Sequence, residues 1–253
     1  MKVKLFAAAA LLCVCTFAQA QIAYKWTPVP IDSTWDEIKD PAATLAIARY
    51  QEQLGPLQEI LGYSVDEYSK DRPESGLSNL AADIIRDVAG KASGREVDIA
   101  MTNFGGIRTS IPKGAVRVYD IFSIFPFDNS LVYFDIKGSD LRSVLMKMIG
   151  RNRIEALSNV RIEVRDGKVI RLDVAGAPLD DARTYRFATI NFLMDGGDGV
   201  TLKDLAKNYV DTGIWVRDAI AQYFRDTYQD KKPIELHPDG RVRVDNKERR
   251  DRR

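Results

Sequence analysis

Between Ser75 and Gly90 the apolar residues Leu77, Leu80, Ala81, Ile84, Ile85 and Val88 recur at three- and four-residue steps. That spacing predicts a helix with one buried stripe, opened near Ser75 or Ser78 and stopped at Gly90. An earlier helix is predicted from Pro41, with Asp40 as its cap and Ile47, Tyr50, Leu54, Leu57 and Leu61 on one face; Gly55-Pro56 should kink it. Asp140 to Ile149 reads as a third helix, with Leu141, Val144, Leu145 and Met148 inward, and the run from Trp215 to Phe224 as a fourth. Strands are predicted over Val97–Asn103, Ser130–Ile136, Asn159–Arg165, Lys168–Val174 and Thr184–Ile190, with a short one at Val242–Val244. Asp166-Gly167 between two alternating runs is a hairpin signal. Hairpins mixed with helices argue for an α+β fold of layered helices and mixed β-sheets.

Composition changes this picture little. The 253 residues are 45% hydrophobic and 29% charged with a net charge of +1, enough for a sizeable core and without a broad cationic face for nucleic acid. The first twenty residues have the order of a secretory signal: Lys2 and Lys4, an apolar run from Leu5 to Phe17, then Ala18-Gln19-Ala20. That run falls short of the roughly 20 residues that span a bilayer, so no membrane span is expected. The chain is read as exported, periplasmic or extracellular after cleavage, with residues 21–39 irregular, 40–245 one domain including the connector helix 41–61, and 246–253 a charged disordered tail. Both cysteines, Cys13 and Cys15, fall inside the signal, and Leu12 and Val14 stand where a lipoprotein needs a small residue. The mature chain then has no thiol for a disulfide or a metal.

Candidate chemistry collects in three segments. Asn103-Phe104-Gly105-Gly106-Ile107-Arg108 follows a predicted strand, so two backbone amides and the Arg108 fork can face an anion; a tight turn with a surface ion pair is the alternative. Asn191 to Gly199 follows another strand. In it Phe192 is a candidate base platform and Asp198 an acceptor for ribose hydroxyls; a structural glycine turn with a core phenylalanine, or a calcium loop using Asp195 and Asp198, also fits these residues alone. In Ile124-Phe125-Pro126-Phe127-Asp128-Asn129, Phe127 could stack on the opposite face of a base and Asn129 read its edge, or the aromatics could belong to the core. His237 is the single histidine and reads as a solvated or capping residue. No nucleophile elbow and no G-x-x-x-x-G-K-[ST] loop occurs.

Taken together and in order, Leu77-Ser78-Asn79-Leu80-Ala81-Ala82-Asp83, Asn-x-Gly-Gly-Ile-Arg, Phe-Pro-Phe-x-Asn, and Tyr185-Arg186-Phe187-Ala188-Thr189 running into Asn-Phe and Gly-Gly-Asp-Gly resemble the C-terminal, substrate-binding domain of the secreted 5'-nucleotidases. The resemblance covers about residues 40 to 245. It implies that Asn103, Gly105, Gly106 and Arg108 lie at the phosphate end, Phe127 and Phe192 sandwich the base, Asn129 contacts its edge, and Asp198 binds ribose hydroxyls. Arginines that the family carries upstream fall on Glu67 and Asp71 here, leaving Arg72 as a further candidate phosphate contact with Lys70 nearby. In that family a separate metallophosphoesterase domain binds two divalent metals. No catalytic residue, metal site or cofactor is therefore expected on this chain. The metal pair is expected on a partner metallophosphoesterase chain, with a nucleotide or nucleoside as the small-molecule partner; a non-catalytic secreted binding protein is the alternative.

Overall fold

A computed structural model describes residues 25–28, Ala42, Leu45, Ala46, Ala48 and Tyr50, and residues 52–228 and 232–245. The predicted signal, most of segment 21–39 and the tail 246–253 lie outside the described residues. The chain divides into two units, 1–50 and 51–253. In the first, residues 25–28 are irregular and the described residues from Ala42 to Tyr50 are helical and exposed.

The second unit opens differently from the long helix that periodicity predicts. A 3-10 helix over Glu52–Gln58 contains Pro56, and strand β1 (Ile60–Ser64) takes over at residues assigned above to the helix. Proline removes a backbone donor at this point, and Leu61, almost wholly buried, belongs to a strand paired antiparallel with Gly114–Arg117.

Helix α1 (Gly76–Ser93) begins with a capping box: the Ser78 amide donates to Ser75 Oγ at 3.1 Å and the Ser75 amide to Ser78 Oγ at 2.9 Å. It runs through Gly90 and ends at Gly94, whose φ of 63° supplies the left-handed C-cap. Gly90 is therefore an interior residue. Then follow β2 (Ile99–Thr102), β3 (Gly114–Arg117), the short helix α2 (Val118–Ile124), β4 (Ser130–Lys137), α3 (Gly138–Gly150), β5 (Ala156–Ser158), β6 (Val160–Arg165), β7 (Lys168–Val174), β8 (Ala177–Pro178), β9 (Thr184–Ile190), α4 (Asn191–Met194), β10 (Lys207–Trp215), α5 (Val216–Tyr228) and β11 (Val242–Asp245). The fold is α+β. The Asp166-Gly167 turn has φ of 47° and 74°, the doubly positive geometry of a tight hairpin.

The main sheet has the order β10-β4-β9-β2-β5, and a second sheet the order β11-β6-β7-β8. In the main sheet β2 runs parallel to β9, while β4, β5 and β10 run antiparallel to their neighbours. Register decides where the loops emerge. Leu131 pairs with Ile190, Ser130 with Trp215, and Thr102 with Ala156. The C-terminal ends of β2, β9 and β10 and the N-terminal ends of β4 and β5 thus share one rim. Beneath it, Phe134 and Phe187 face each other across β4 and β9 with ring centroids 5.2 Å apart, and the stripe of α1 packs Leu77, Ala81, Ile84 and Ile85 into the same core.

Candidate functional site

Every strand of the main sheet delivers a segment to that rim. From β2 comes Asn103, buried, whose Nδ2 donates to Asp198 Oδ2 at 2.7 Å. This one bond joins the two glycine segments, 95 residues apart in sequence. Asn103 Oδ1 is buried without a hydrogen-bond partner. Phe104–Gly106 forms a single 3-10 turn in which the Gly106 amide donates to the Asn103 carbonyl at 3.1 Å. The expected pair of outward amides is thus reduced, because Gly106 spends its N–H inside the turn. Gly106 is required for close packing instead, since a Cβ there would lie 2.6 Å from Asn103 Oδ1. Gly105 is exposed above it.

Two groups distant in sequence hold this turn. Glu155, just ahead of β5 and 2% exposed, accepts the Phe104 amide at 2.7 Å and both contacts of Arg72 Nη2 at 3.0 and 3.2 Å. Arg72, the candidate phosphate contact, therefore has its fork engaged by a buried carboxylate, and its guanidinium also covers the Phe104 ring at 4.3 Å. Lys70 Nζ donates to the Phe104 carbonyl at 2.8 Å and to that of Ile107. Desolvation, with the nearby Arg108 and Arg72 charges, holds the Lys70 ammonium below the ordinary lysine range. Arg108 is exposed, donates to the Gly105 carbonyl at 3.3 Å, and has no carboxylate partner among the described residues. Its guanidinium lies 5.9 Å from the Phe127 ring centroid.

Phe127 and Phe192 are 46% and 44% exposed, so both rings remain available for contact, and they do not stack on each other. The segment bearing Phe127 and the half-buried Asn129 is clamped from β10 and α5. The Val216 amide donates to the Asn129 carbonyl at 2.9 Å, and Arg217 reaches Asp128 at 2.6 Å. The Arg217 guanidinium lies 4.4 Å from the Trp215 ring and 5.0 Å from that of Phe122. On the other side Asn191 Oδ1 accepts the Ser130 and Phe192 amides at 3.2 and 2.9 Å, tying the end of β9 to the start of β4. Gly197 lies against the Phe192 ring, where a Cβ would come within 2.4 Å of a ring carbon.

Asp198 sits between Gly196 and Gly199 with a φ of 52°, itself left-handed. Its side chain is 24% exposed, with Oδ1 3.7 Å from Arg153. The calcium alternative finds no support here: Asp195 faces Lys203 at 3.8 Å, and among the described residues no group of three or more His, Cys, Asp or Glu could hold a metal ion. The described residues therefore do not fit a metal pair. His237 is 72% exposed and bonds Glu235 at 3.1 Å. The rim combines two open aromatic faces, a fixed carboxylate and a cationic corner, which together can hold a flat, hydroxylated anion.

Glu155 and Arg217 escape the motif analysis because their partners lie far away in sequence, and Lys70, named there only as a neighbour of Arg72, proves to donate to two carbonyls of the first glycine segment. Glu155 carries a faint signal, a lone acid inside the apolar run from Ile154 to Leu157.

Comparison with known proteins identifies the family to which this fold belongs. Residues 53–204 match the family model described as 5'-nucleotidase, C-terminal domain. Protein UshA of Yersinia enterocolitica is 38% identical over 131 residues, 50% of this chain and 24% of that protein. Protein UshA of Escherichia coli is 33% identical over 152 residues, 57% of this chain and 27% of that protein. The chain thus spans about a quarter of the length of these curated relatives. The crystal structure of a 5'-nucleotidase precursor from Thermus thermophilus superposes with a TM-score of 0.70 at 29% identity, covering 81% of this chain and 43% of the other. With the family model matched across both glycine segments and the intervening Phe-Pro-Phe-x-Asn, this chain belongs to the 5'-nucleotidase C-terminal domain family.

Proposed function

We propose that this chain is the nucleotide-holding part of an exported 5'-nucleotidase-type phosphoester hydrolase. The observation that carries the reading is the meeting, on one rim of one sheet, of two half-exposed phenylalanines with the Asp198 carboxylate and Arg108. The base stacks between Phe127 and Phe192, with Asn129 at its edge. Asp198 accepts hydrogen bonds from the ribose hydroxyls. Arg108, with Asn103 and Gly105 beside it, faces the 5'-phosphate, and the Lys70 ammonium adds positive charge behind the loop. Relatives named as 5'-nucleotidases support this substrate class. The basic and apolar order of the first twenty residues supports export.

The metal pair of the family finds no ligand set among the described residues. In this reading it resides on a separate metallophosphoesterase chain, and the residues here orient the substrate; orientation contributes to rate only in company with that centre. Binding comes first: adenosine 5'-phosphate should bind the purified chain, and Phe192→Ala and Phe127→Ala should each weaken it, a stacked face contributing on the order of 1–3 kcal/mol. Turnover comes second. A nucleotide panel incubated with manganese or zinc should be hydrolysed when an exported metallophosphoesterase is added and left intact without it. Robust EDTA-sensitive hydrolysis by the chain alone overturns the division of labour. Binding that persists with no partner able to produce turnover favours a secreted nucleotide-binding protein.

A further inference from the structure

A cavity of about 310 Å³ opens on the far side of Asp198, between α3, the segment leading into β5 and the chain after β9. Its wall carries three cations, Lys147, Arg151 and Arg153. Among the described residues, Arg151 meets only the Gly199 carbonyl at 3.4 Å, Arg153 only Asp198 at 3.7 Å, and Lys147 has no carboxylate partner. Against them stand Asp198 and Asp204, because the charge of the third acid in the wall, Glu155, is already met by Arg72. Met148 and Leu205 supply part of an apolar floor. Such a floor keeps water from one side of the cations and strengthens their attraction for an anion.

We propose that this cavity receives a phosphate carried on the 2' or 3' oxygen of a bound nucleotide's ribose. The inference rests on the nucleotide reading above and extends it to substrates phosphorylated on the ribose ring. Asp198 is the hinge of the argument because it faces both ways. Oδ2 is held by Asn103 on the side of the first glycine segment, whereas Oδ1 points at Arg153, on the cavity side. A ribose that offers one hydroxyl to this carboxylate carries the neighbouring 2' or 3' oxygen past the Asp198 side chain towards Arg153. A phosphate there enters a wall of three cations that lack strong partners in the fold. The cavity is open and far larger than the space a single water needs, so a phosphate enters with part of its hydration shell. Arg108 faces the first glycine segment and does not line this cavity, so the two anion positions are chemically independent.

The test is a calorimetric titration of the full chain at low salt with adenosine, its 2'-, 3'- and 5'-monophosphates, and inorganic phosphate. The 2'- or the 3'-monophosphate should bind at least tenfold tighter than adenosine, and the gain should shrink as salt is raised. Combining Lys147→Gln with Arg151→Gln should abolish that gain while leaving adenosine unchanged; Arg108→Gln should reduce only the gain of the 5'-monophosphate. If adenosine binds but neither the 2'- nor the 3'-ester gains, or the gain survives the double substitution, the cavity assignment is wrong and the nucleotide reading stands. Inorganic phosphate that binds equally well without adenosine, and is lost in the double variant, makes the cavity an independent anion site and overturns the ribose link. Failure of adenosine and all its esters to bind removes the nucleotide reading together with this one.

Discussion

Gly197 is set by the ring it supports. A methyl group there would fall 2.4–2.6 Å from three carbons of Phe192, and the ring, 44% exposed, has open solvent to swing into. Gly197→Ala should therefore weaken adenosine 5'-phosphate binding by about tenfold, in line with the roughly 1–3 kcal/mol of a stacked face, while the melting temperature barely moves. A steep fall in melting temperature would instead make the ring a structural element. Lys70 gives a second test at this scale. Burial and the charges of Arg108 and Arg72 hold its pKa below the usual lysine value. Below that ordinary value, and down to the depressed one, the unfolded chain holds more protons, so this residue's contribution to stability rises with pH across the window. A bound phosphate offsets the two arginines, so side-chain NMR of Lys70 should show its pKa move upward when adenosine 5'-phosphate is added. The residues with a signature in sequence were those placed by strand ends and glycines, namely Asn103, Arg108, Phe127, Phe192 and Asp198. Glu155 and the role of Lys70 were not legible, because they act on the Phe104 turn from 51 and 34 positions away.

Among the elements, those with a buried stripe or clean alternation are legible from the sequence. The strand Thr184–Ile190 emerges with the predicted bounds, and helix α1 differs mainly at its end, where Gly94 rather than Gly90 adopts the left-handed cap. Strand β10 was not legible. Its nine residues are largely exposed on both faces, as befits a sheet edge, so no period marks it. Yet β10 leads into the residue that clamps the base loop. Arg217 stands between Trp215 and Phe122 and reaches Asp128, one position from Phe127 and from Asn129. Arg217→Met should raise the KM for nucleotide several-fold and leave kcat nearly unchanged in the presence of a metallophosphoesterase. Arg217→Lys should rescue only in part, since an ammonium cannot lie flat between two rings. An equal fall in kcat and kcat/KM would place the effect on the reacting geometry instead.

At the scale of the whole molecule, Arg241 ties the C-terminal segment to the body. Its guanidinium, 11% exposed, donates to both oxygens of Asp83 on α1 at 2.7 and 2.9 Å, to Asp239 at 2.8 Å, and to the Leu157 carbonyl of β5 at 3.0 Å. Removal of one partner from a fully buried pair costs about 3–5 kcal/mol. Asp83 and Asp239 keep some access to water, so Arg241→Met should cost roughly 2–3 kcal/mol in denaturant melts. Chiefly through its hydrogen bond to Arg241, the Asp239 carboxyl is held below its ordinary value. Its contribution to stability is therefore complete above the unfolded-state pKa and is lost as pH falls through the lower folded value, and the gap between acid melts of the wild type and the Arg241→Met variant should narrow there without closing, since the bonds of Arg241 to Asp83 and Leu157 do not depend on Asp239. The shared rim of the main sheet has a consequence for amide exchange. A ligand seated there touches the ends of strands that are neighbours in space and scattered in sequence. Deuterium uptake should slow together around residues 103–108, 127–131, 153–156, 190–199 and 214–217 when nucleotide is added. The sheet β11-β6-β7-β8 should exchange at its ligand-free rate, a pattern that a ligand bound at one isolated loop would not produce.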